Sequence, residues 1–421
     1  MRITRRAFVQ GGGLTLLSFG MDPLFLARAA LARPNAAAAS SVAARRRVLL
    51  CLFQRGAVDG LSMLVPHGDA RYRTLRPRIA IPSADVVDLD GHFGLHPALA
   101  DLLPLWKAGQ LALVPACGSP QETRSHFDAQ DFMESGTPGR KSTPDGWLNR
   151  CCQHDREHAA TPFRSVAFGP QLPRILAGTA PALAIQDLQA FGLRARRQPA
   201  GDRITRAFAE LYGAAATGIV AASAEEAFAA VRTLEQVNPD GYAPAHGASY
   251  PQGRLGRTLL QIAQLIKADV GLEIAFADCG GWDTHVAQGS SQGQLSNRLH
   301  ELGVGLAAFG RDLGDRAGDV VVLTMSEFGR TLAENGSGGT DHGHGTTMLV
   351  LGGGVRGGRI AGRWPGLEPD QLFEARDVAV TTDFRDLFAE VLARHLGMRD
   401  LGPVFPDHDN DPTRWPGVLP A

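Results

Sequence analysis

Five short, predominantly apolar runs, each stopping at a loop rich in glycine and acidic or hydroxyl side chains, constrain this chain more than any other feature. Val48–Phe53 leads into Gln54-Arg-Gly-Ala-Val-Asp-Gly60. Leu111–Ala116 ends near Gly118 and precedes a helix-like stretch from Ser125. Leu272–Ala277 leads into Asp278-Cys-Gly-Gly-Trp-Asp283, Val320–Thr324 into Met325-Ser-Glu-Phe-Gly329, and Met348–Leu351 into a glycine cluster. Apolar runs of this length without alternation fit strands buried on both faces. Between them lie helical patterns at Leu99–Ala108, Arg257–Ala268, Leu295–Leu313 and Asp383–His395. Strands alternating with helices predict an α/β fold, a mostly parallel sheet with helices on both faces. In such sheets ligands gather at the carboxyl ends of the strands.

The balance of 42 basic against 43 acidic residues leaves a net charge of −1, which gives no electrostatic case for nucleic acid. Five scattered cysteines without a Cys-x-x-Cys pair exclude a disulfide framework and a zinc ribbon. Cys51 and Cys279 read as buried hydrophobes. The chain offers no stretch of 18 unbroken apolar residues, so no transmembrane anchor is expected.

The first residues carry an address. Thr4-Arg5-Arg6-Ala7-Phe8-Val9 precedes a mildly apolar stretch, with small-x-small sites at Ala27–Ala29 and Ala30–Ala32. This is the pattern of a twin-arginine signal peptide over residues 1–32, which makes the twin-arginine translocase a partner and predicts a periplasmic or extracellular location. Residues 33–47 read as a linker and 48–421 as an α/β domain. Within it, about 137–250 is less regular and is expected to be an insertion or cap with helices at Ile204–Leu211 and Ser223–Leu234.

The strand ends carry residues of metal and acid–base type. They are Asp59 after the first run, Ser125 and His126 after the second, Asp283 and His285 after the third, and Glu327 and Arg330 after the fourth; a loop adds Asp341, His342 and His344. Oxygen and imidazole donors together suit a divalent ion: zinc, manganese, iron or calcium. Residues at i and i+2 of an extended segment share a face, which would pair Asp283 with His285 and His342 with His344. Ser125 at a helix start lies where backbone N–H groups favour an anion, and a metal could activate its hydroxyl. Plainer roles stand beside these: Asp59-Gly60 as a turn, Ser125 as an N-cap, Glu327 paired with Arg330. His96 before Pro97 reads as a packing residue. Gly352-x-Gly-x-x-Gly357 follows a strand, but the segment after it cannot open the helix a dinucleotide site requires. Gly289-Ser-Ser-Gln-Gly293 lacks the strand that leads into a nucleophile elbow.

In these stretches the chain resembles the bacterial family called domain of unknown function 1501. The matching segments are Arg55–Gly60, Ser125–Asp131, Gly281–His285, Ser326–Arg330, Gly338–Gly343 and Thr382–Asp386. That family is similar in turn to the alkaline phosphatase and sulfatase superfamily, whose members hold one or two metals at the strand ends of a three-layer α/β sandwich. The resemblance implies that Asp59, Asp283, His285, Glu327, Asp341, His342 and His344 bind metal. It also implies that Ser125 attacks, with His126 beside it, and that Arg330 or Arg124 holds the substrate anion. Phe328 stands where the superfamily has a metal-binding histidine, and phenylalanine cannot ligate. The expectation is an exported metal-dependent hydrolase of phosphate or sulfate esters acting on a small anionic ester or glycan. The alternative is a non-catalytic exported protein that binds or assists assembly on a degenerate phosphatase-like fold.

Overall fold

All seven residues of Val48–Gln54 are buried, as are the eight of Leu111–Gly118 and the six of Val320–Met325. These runs need no polar face because each lies inside a sheet. The computed structural model describes residues 46–154, 161–188 and 241–421. The signal sequence, nearly all of the linker and the two Ala-rich helical stretches expected at 204–211 and 223–234 lie outside these residues.

In chain order the main elements are β1 (Val48–Gln54), β2 (Leu111–Gly118), α1 (His126–Ser135), α2 (Trp147–His154), β3 (Ser165–Phe168), β4 (Leu183–Ile185), α3 (Arg254–Lys267), β5 (Ile274–Cys279), α4 (Gln294–Leu313), β6 (Val320–Met325), β7 (Thr346–Gly352), β8 (Arg359–Ile360), β9 (Thr382–Asp383) and α5 (Phe384–Arg394). Together they make an α/β fold built on a mixed, mostly parallel sheet. The chain divides into two units, with boundaries that fall inside α3 and β5. Among the described residues no helix is long and apolar enough to cross a membrane.

The larger unit comprises Arg47–Thr143, Pro244–Leu260 and Ala277–Ala421. Its strands run in the order β8-β2-β7-β6-β1. β1 and β6 are parallel, from Val48 opposite Val320 to Phe53 opposite Met325. β8 and β9 run parallel to β2. β7 is antiparallel to both β2 and β6. The physical reason is the connection: β6 returns to β7 through a loop with no helix to carry a crossover, and a parallel partner would require one.

The register of β1 and β6 positions the site. It brings their carboxyl ends side by side, so Ser326 Oγ donates to the Gln54 carbonyl at 2.8 Å and the Val58 N–H donates to Ser326 Oγ at 3.1 Å. The end of β5 joins them through a hydrogen bond from Arg55 N to Cys279 O at 2.8 Å. Helix α1 follows β2 and opens at the same rim, with Ser125 as N-cap and Gly136 closing it in the left-handed region at φ 68°.

The smaller unit contains residues 46, 144–154, 161–188, 241–243 and 261–276 of those described. β3 and β4 pair in parallel, Val166 opposite Leu183. Asn149 on α2 binds the loop between them, donating to Leu176 O and Ala180 O at 2.8 Å each and accepting from Ala180 N at 3.0 Å. Most of the described part of the interval 137–250 falls in this unit.

Candidate metal centre

Three histidines from three separate segments turn their Nε2 atoms toward the carboxylate of Asp283. His126 opens α1, His285 lies in the loop after β5, and His342 comes from the loop between β6 and β7. The ligand atoms of His126, Asp283 and His342 lie within 4.8 Å of one another. His285 Nε2 is 3.0 Å from His342 Nε2 and 3.0 Å from Asp283 Oδ1. His342 Nε2 is 3.4 Å from the same oxygen, and His126 Nε2 is 3.7 Å from Asp283 Oδ2. Donors placed tetrahedrally about an ion, with bonds of about 2.1 Å, stand roughly 3.4 Å apart. The separations of the three imidazoles from Asp283, and of His285 from His342, bracket that value, while the donors that all lie within 4.8 Å of one another are those of His126, Asp283 and His342.

Each imidazole is oriented from behind by an acceptor on its other nitrogen. His126 Nδ1 lies 2.8 Å from Glu327 Oε1, His285 Nδ1 lies 3.2 Å from Asp341 Oδ1, and His342 Nδ1 lies 2.9 Å from the Arg124 carbonyl. A carboxylate or carbonyl only accepts, so each Nδ1 carries a proton, and in the neutral ring the Nε2 then offers its lone pair to an ion. The His126 Nε2 is buried without a hydrogen-bond partner, as a ligand atom awaiting a cation would be. Asp283 and His285 keep 45% and 38% of their side-chain surface exposed, so the cluster opens to solvent on that side.

Glu327 and Asp341 thus stand behind His126 and His285, against their Nδ1 atoms. The Glu327 carboxylate is fully buried and accepts from Gly56 N and Gln130 Nε2 as well as His126, each at 2.8 Å. Burial alone would raise its pKa, but the donors of His126, Gln130 and Gly56 hold it below the usual range. Asp341 is held down chiefly by Asn335, whose Nδ2 donates to it at 3.0 Å. For Asp283, burial pushes up, and the Arg330 guanidinium outweighs it. His126 is raised by its bond to Glu327, whereas His342 is lowered by burial.

Other expected site residues lie elsewhere. Asp59 is buried in a different cluster, where it receives Arg76 Nη1 at 2.6 Å and Nη2 at 3.1 Å, Ser62 Oγ at 2.8 Å and Gln288 Nε2 at 2.7 Å. Four protein donors serve its carboxylate, three on Oδ2 and one on Oδ1. His344 stacks on Phe373, ring centroids 4.4 Å apart, and does not join His342. The i, i+2 rule fails there because the backbone bends at His344, while Gly343 packs so closely on Arg330 that a Cβ would lie 2.4 Å from the Arg330 carbonyl carbon. Ser125 is exposed, and its hydroxyl accepts the Asp128 N–H at 3.5 Å, an N-cap contact.

The two arginines expected to grip an anion are engaged. Arg330 is fully buried and donates to the carbonyls of Ala57, Gly56, Thr340 and Trp282 at 2.7–3.2 Å, and to Asp283. It clamps three loops together behind the cluster. Arg124 pairs with Glu374 and, at 2.8 Å, with Asp377. Phe328 lies against the rings of His126 and His342, centroids 5.0 Å and 4.9 Å away, and forms an apolar wall. Gly56 admits the whole arrangement: its φ is 114°, and a Cβ there would meet Asp283 N at 2.8 Å.

Gln130 and Asn335 are site residues the sequence did not announce, since amides carry no ligand signature. Gln130 had one signal available, its position one helical turn after His126, which puts both on the face toward Glu327.

Against known families, the model described as "Protein of unknown function (DUF1501)" matches residues 46–406. The chain belongs to the DUF1501 family. No curated protein matches this DUF1501 chain. Among solved structures, the lipoteichoic acid synthase LtaP from Listeria monocytogenes is similar over 72% of this chain, at 9% identity and a TM-score of 0.30. The DUF1501 chain covers 61% of that protein, under two thirds of its length.

Proposed function

We propose that this DUF1501 protein is a metal-dependent hydrolase of phosphate or sulfate esters, exported through the twin-arginine route and related to the alkaline phosphatase and sulfatase superfamily. The observation that carries the reading is the convergence of the Nε2 atoms of His126, His285 and His342 on Asp283, with every Nδ1 held by an acceptor. Three imidazoles and one carboxylate favour zinc, manganese or iron over calcium, which prefers an all-oxygen shell. Such an ion would polarise the ester oxygen and make a nucleophile available near neutral pH. The chain's own residues fix the donors, with Phe328 excluding water from one side and Arg330 fixing Asp283. Access is through the exposed flank of Asp283 and His285.

A second reading is a non-catalytic exported protein that binds a partner or a glycan. It is favoured by Arg330, which is fully buried and committed to backbone carbonyls and Asp283, and by the pairing of Arg124 Nη2 with Glu374 and Asp377. Metal analysis of the purified protein, followed by turnover of p-nitrophenyl phosphate and p-nitrophenyl sulfate, separates the two. The hydrolase reading expects a near-stoichiometric ion and turnover abolished by His342→Ala. Ser125→Ala distinguishes serine attack, which would lose turnover, from attack by water, which would keep it. A folded protein that retains no metal and turns over neither ester would overturn the hydrolase.

A further inference from the structure

Arg55 directly follows β1, and its side chain reaches acceptors on two other elements. Its Nε donates to Asp278 Oδ2 on β5 at 2.9 Å. Its Nη1 donates to Gln130 Oε1 at 3.1 Å and to Glu134 Oε1 at 2.8 Å, both on α1. The guanidinium lies over the Phe53 ring, 4.3 Å from its centroid.

From there a hydrogen-bond chain runs to the histidine cluster through one amide. Gln130 Nε2 donates to Glu327 Oε1 at 2.8 Å, and the same oxygen accepts from His126 Nδ1 at 2.8 Å. His126, Gln130 and Glu134 follow one another at i, i+4 spacing along one face of α1. The direction of the amide is dictated from both ends. A guanidinium only donates, so Oε1 must face Arg55; an ionised carboxylate only accepts, so Nε2 must face Glu327. Without Arg55 the amide would be free to turn over and set its oxygen against the carboxylate. Glu327 is fully buried, and among the described residues neither a lysine nor an arginine pairs with it. A buried carboxylate without such a cation is costly unless its hydrogen bonds are strong. A chain that starts at a guanidinium polarises the amide in the middle and strengthens its last donor.

Resting on the metal centre of the hydrolase reading, we infer that Arg55 and Gln130 are positioning residues for that centre. Arg55 fixes the amide of Gln130, Gln130 holds Glu327, and Glu327 sets the direction and donor strength of His126.

Arg55→Lys separates this role from plain structure. An ammonium keeps the charge but loses the fork, and the carboxylates of Glu134 and Asp278 outcompete a neutral amide for it. Gln130 is then released while the charge stays beside both carboxylates. Gln130→Met removes the amide at a half-buried helix position with a residue that favours helix. Zinc affinity of the full-length protein, read by competition with a chromophoric chelator, should fall roughly 3–10-fold in either variant. The double variant should lose no more than the weaker-binding single one, because both changes break one chain. Paramagnetic NMR of the cobalt(II)-loaded protein should show the exchangeable Nδ1 proton of His126, identified by its absence in His126→Gln. That signal should be displaced in both single variants while the other imidazole N–H signals keep their positions. Losses that multiply in the double variant, or wild-type zinc affinity in either single variant, overturn the inference and leave the metal centre standing. So does displacement of all the imidazole signals together, the mark of a general loosening. A wild-type protein that binds no zinc overturns the centre and the inference with it. Zinc binding that follows the expected pattern without turnover of p-nitrophenyl phosphate or p-nitrophenyl sulfate removes the hydrolase and leaves the positioning role.

Discussion

The Nε2 atoms of His285 and His342 face each other at 3.0 Å while both Nδ1 atoms are committed to acceptors. Two lone pairs at that distance repel unless a proton or a cation lies between them. Burial lowers His342, so it resists the proton. On the proposed reading a divalent ion would lie among His126, Asp283 and His342, whose ligand atoms are within 4.8 Å of one another, with His285 Nε2 3.0 Å from two of these residues. His285→Ala and His342→Ala should therefore each reduce the metal content of the purified protein from near one ion per chain to a small fraction, as read by plasma mass spectrometry. Retention of a full complement in both variants would place any ion elsewhere.

The acceptors behind the rings should matter nearly as much. Glu327→Gln and Asp341→Asn leave every ligand in place but weaken the hold on His126 and His285. Loss of such partners typically lowers metal affinity by roughly 10–100-fold. Competition against a chromophoric chelator measures this directly. Glu327→Gln should be the more severe, because that carboxylate is buried and also accepts from Gly56 and Gln130.

Much of the centre was legible because its residues stand just beyond buried strands. Asp283 and His285 follow β5, Glu327 follows β6, and the register of β1 with β6 brings their ends together. What the sequence does not encode locally is the direction in which each side chain points. Glu327 and Asp341 carry ligand chemistry but serve as acceptors behind imidazoles. His126, expected beside an attacking serine, is itself a ligand candidate. Asp59 looked like a strand-end ligand because Arg76, its partner, lies in a segment with no motif. His344 was assigned to the face of His342 by an extended-chain rule that the bend at His344 breaks. The fold class followed from the apolar runs, whereas the antiparallel β7 depends on a connection whose lack of a helix is clear only in three dimensions.

The pairing of Asp59 with Arg76 gives a prediction that separates stability from metal binding. Both side chains are essentially inaccessible, at 1% and 0% exposure. Burial would raise the Asp59 carboxyl, and Arg76 holds it below the usual range instead. Removing one member leaves the other charged and uncompensated, at a cost of about 3–5 kcal/mol. Asp59→Asn should lower the guanidinium denaturation midpoint accordingly, while the folded fraction keeps its metal. Loss of the ion with unchanged stability would return Asp59 to the ligand set.

Gly329, between Phe328 and Arg330, is constrained by contact alone. A Cβ there would lie 2.0 Å from Gly345 O and 2.7 Å from the Gly345 carbonyl carbon, and backbone atoms cannot step aside cheaply. The hydrogen bonds from Gly329 N to His344 O and from Gly343 N to Gly329 O, both 2.8 Å, tie the loop that carries His342 to the loop that carries Glu327. Gly329→Ala must part these loops. It should cost at least about 1–3 kcal/mol and weaken metal binding although no ligand is changed. Thermal denaturation with and without added zinc would show both effects, the zinc-dependent stabilisation being smaller than in the wild type.

Far from the centre, His395 at the end of α5 sets a pH limit on the fold. Its Nε2 donates to the Val48 carbonyl at the start of β1, 2.9 Å away, and burial lowers its pKa to about 4 from an ordinary value of 6.5. The unfolded chain therefore takes up this proton at a higher pH than the folded one. Above about pH 6.5 neither state is protonated here and the contribution to stability is complete. As the pH falls from about 6.5 toward 4, only the unfolded state gains the proton, and stability declines by up to about 1.4 kcal/mol per pH unit, roughly 3 kcal/mol in all. Denaturant titrations at pH 7.0 and 4.5 should show the loss, and His395→Gln, whose amide can still donate to Val48 but does not titrate, should show less of it. An equal decline in both proteins would assign the acid sensitivity to other groups.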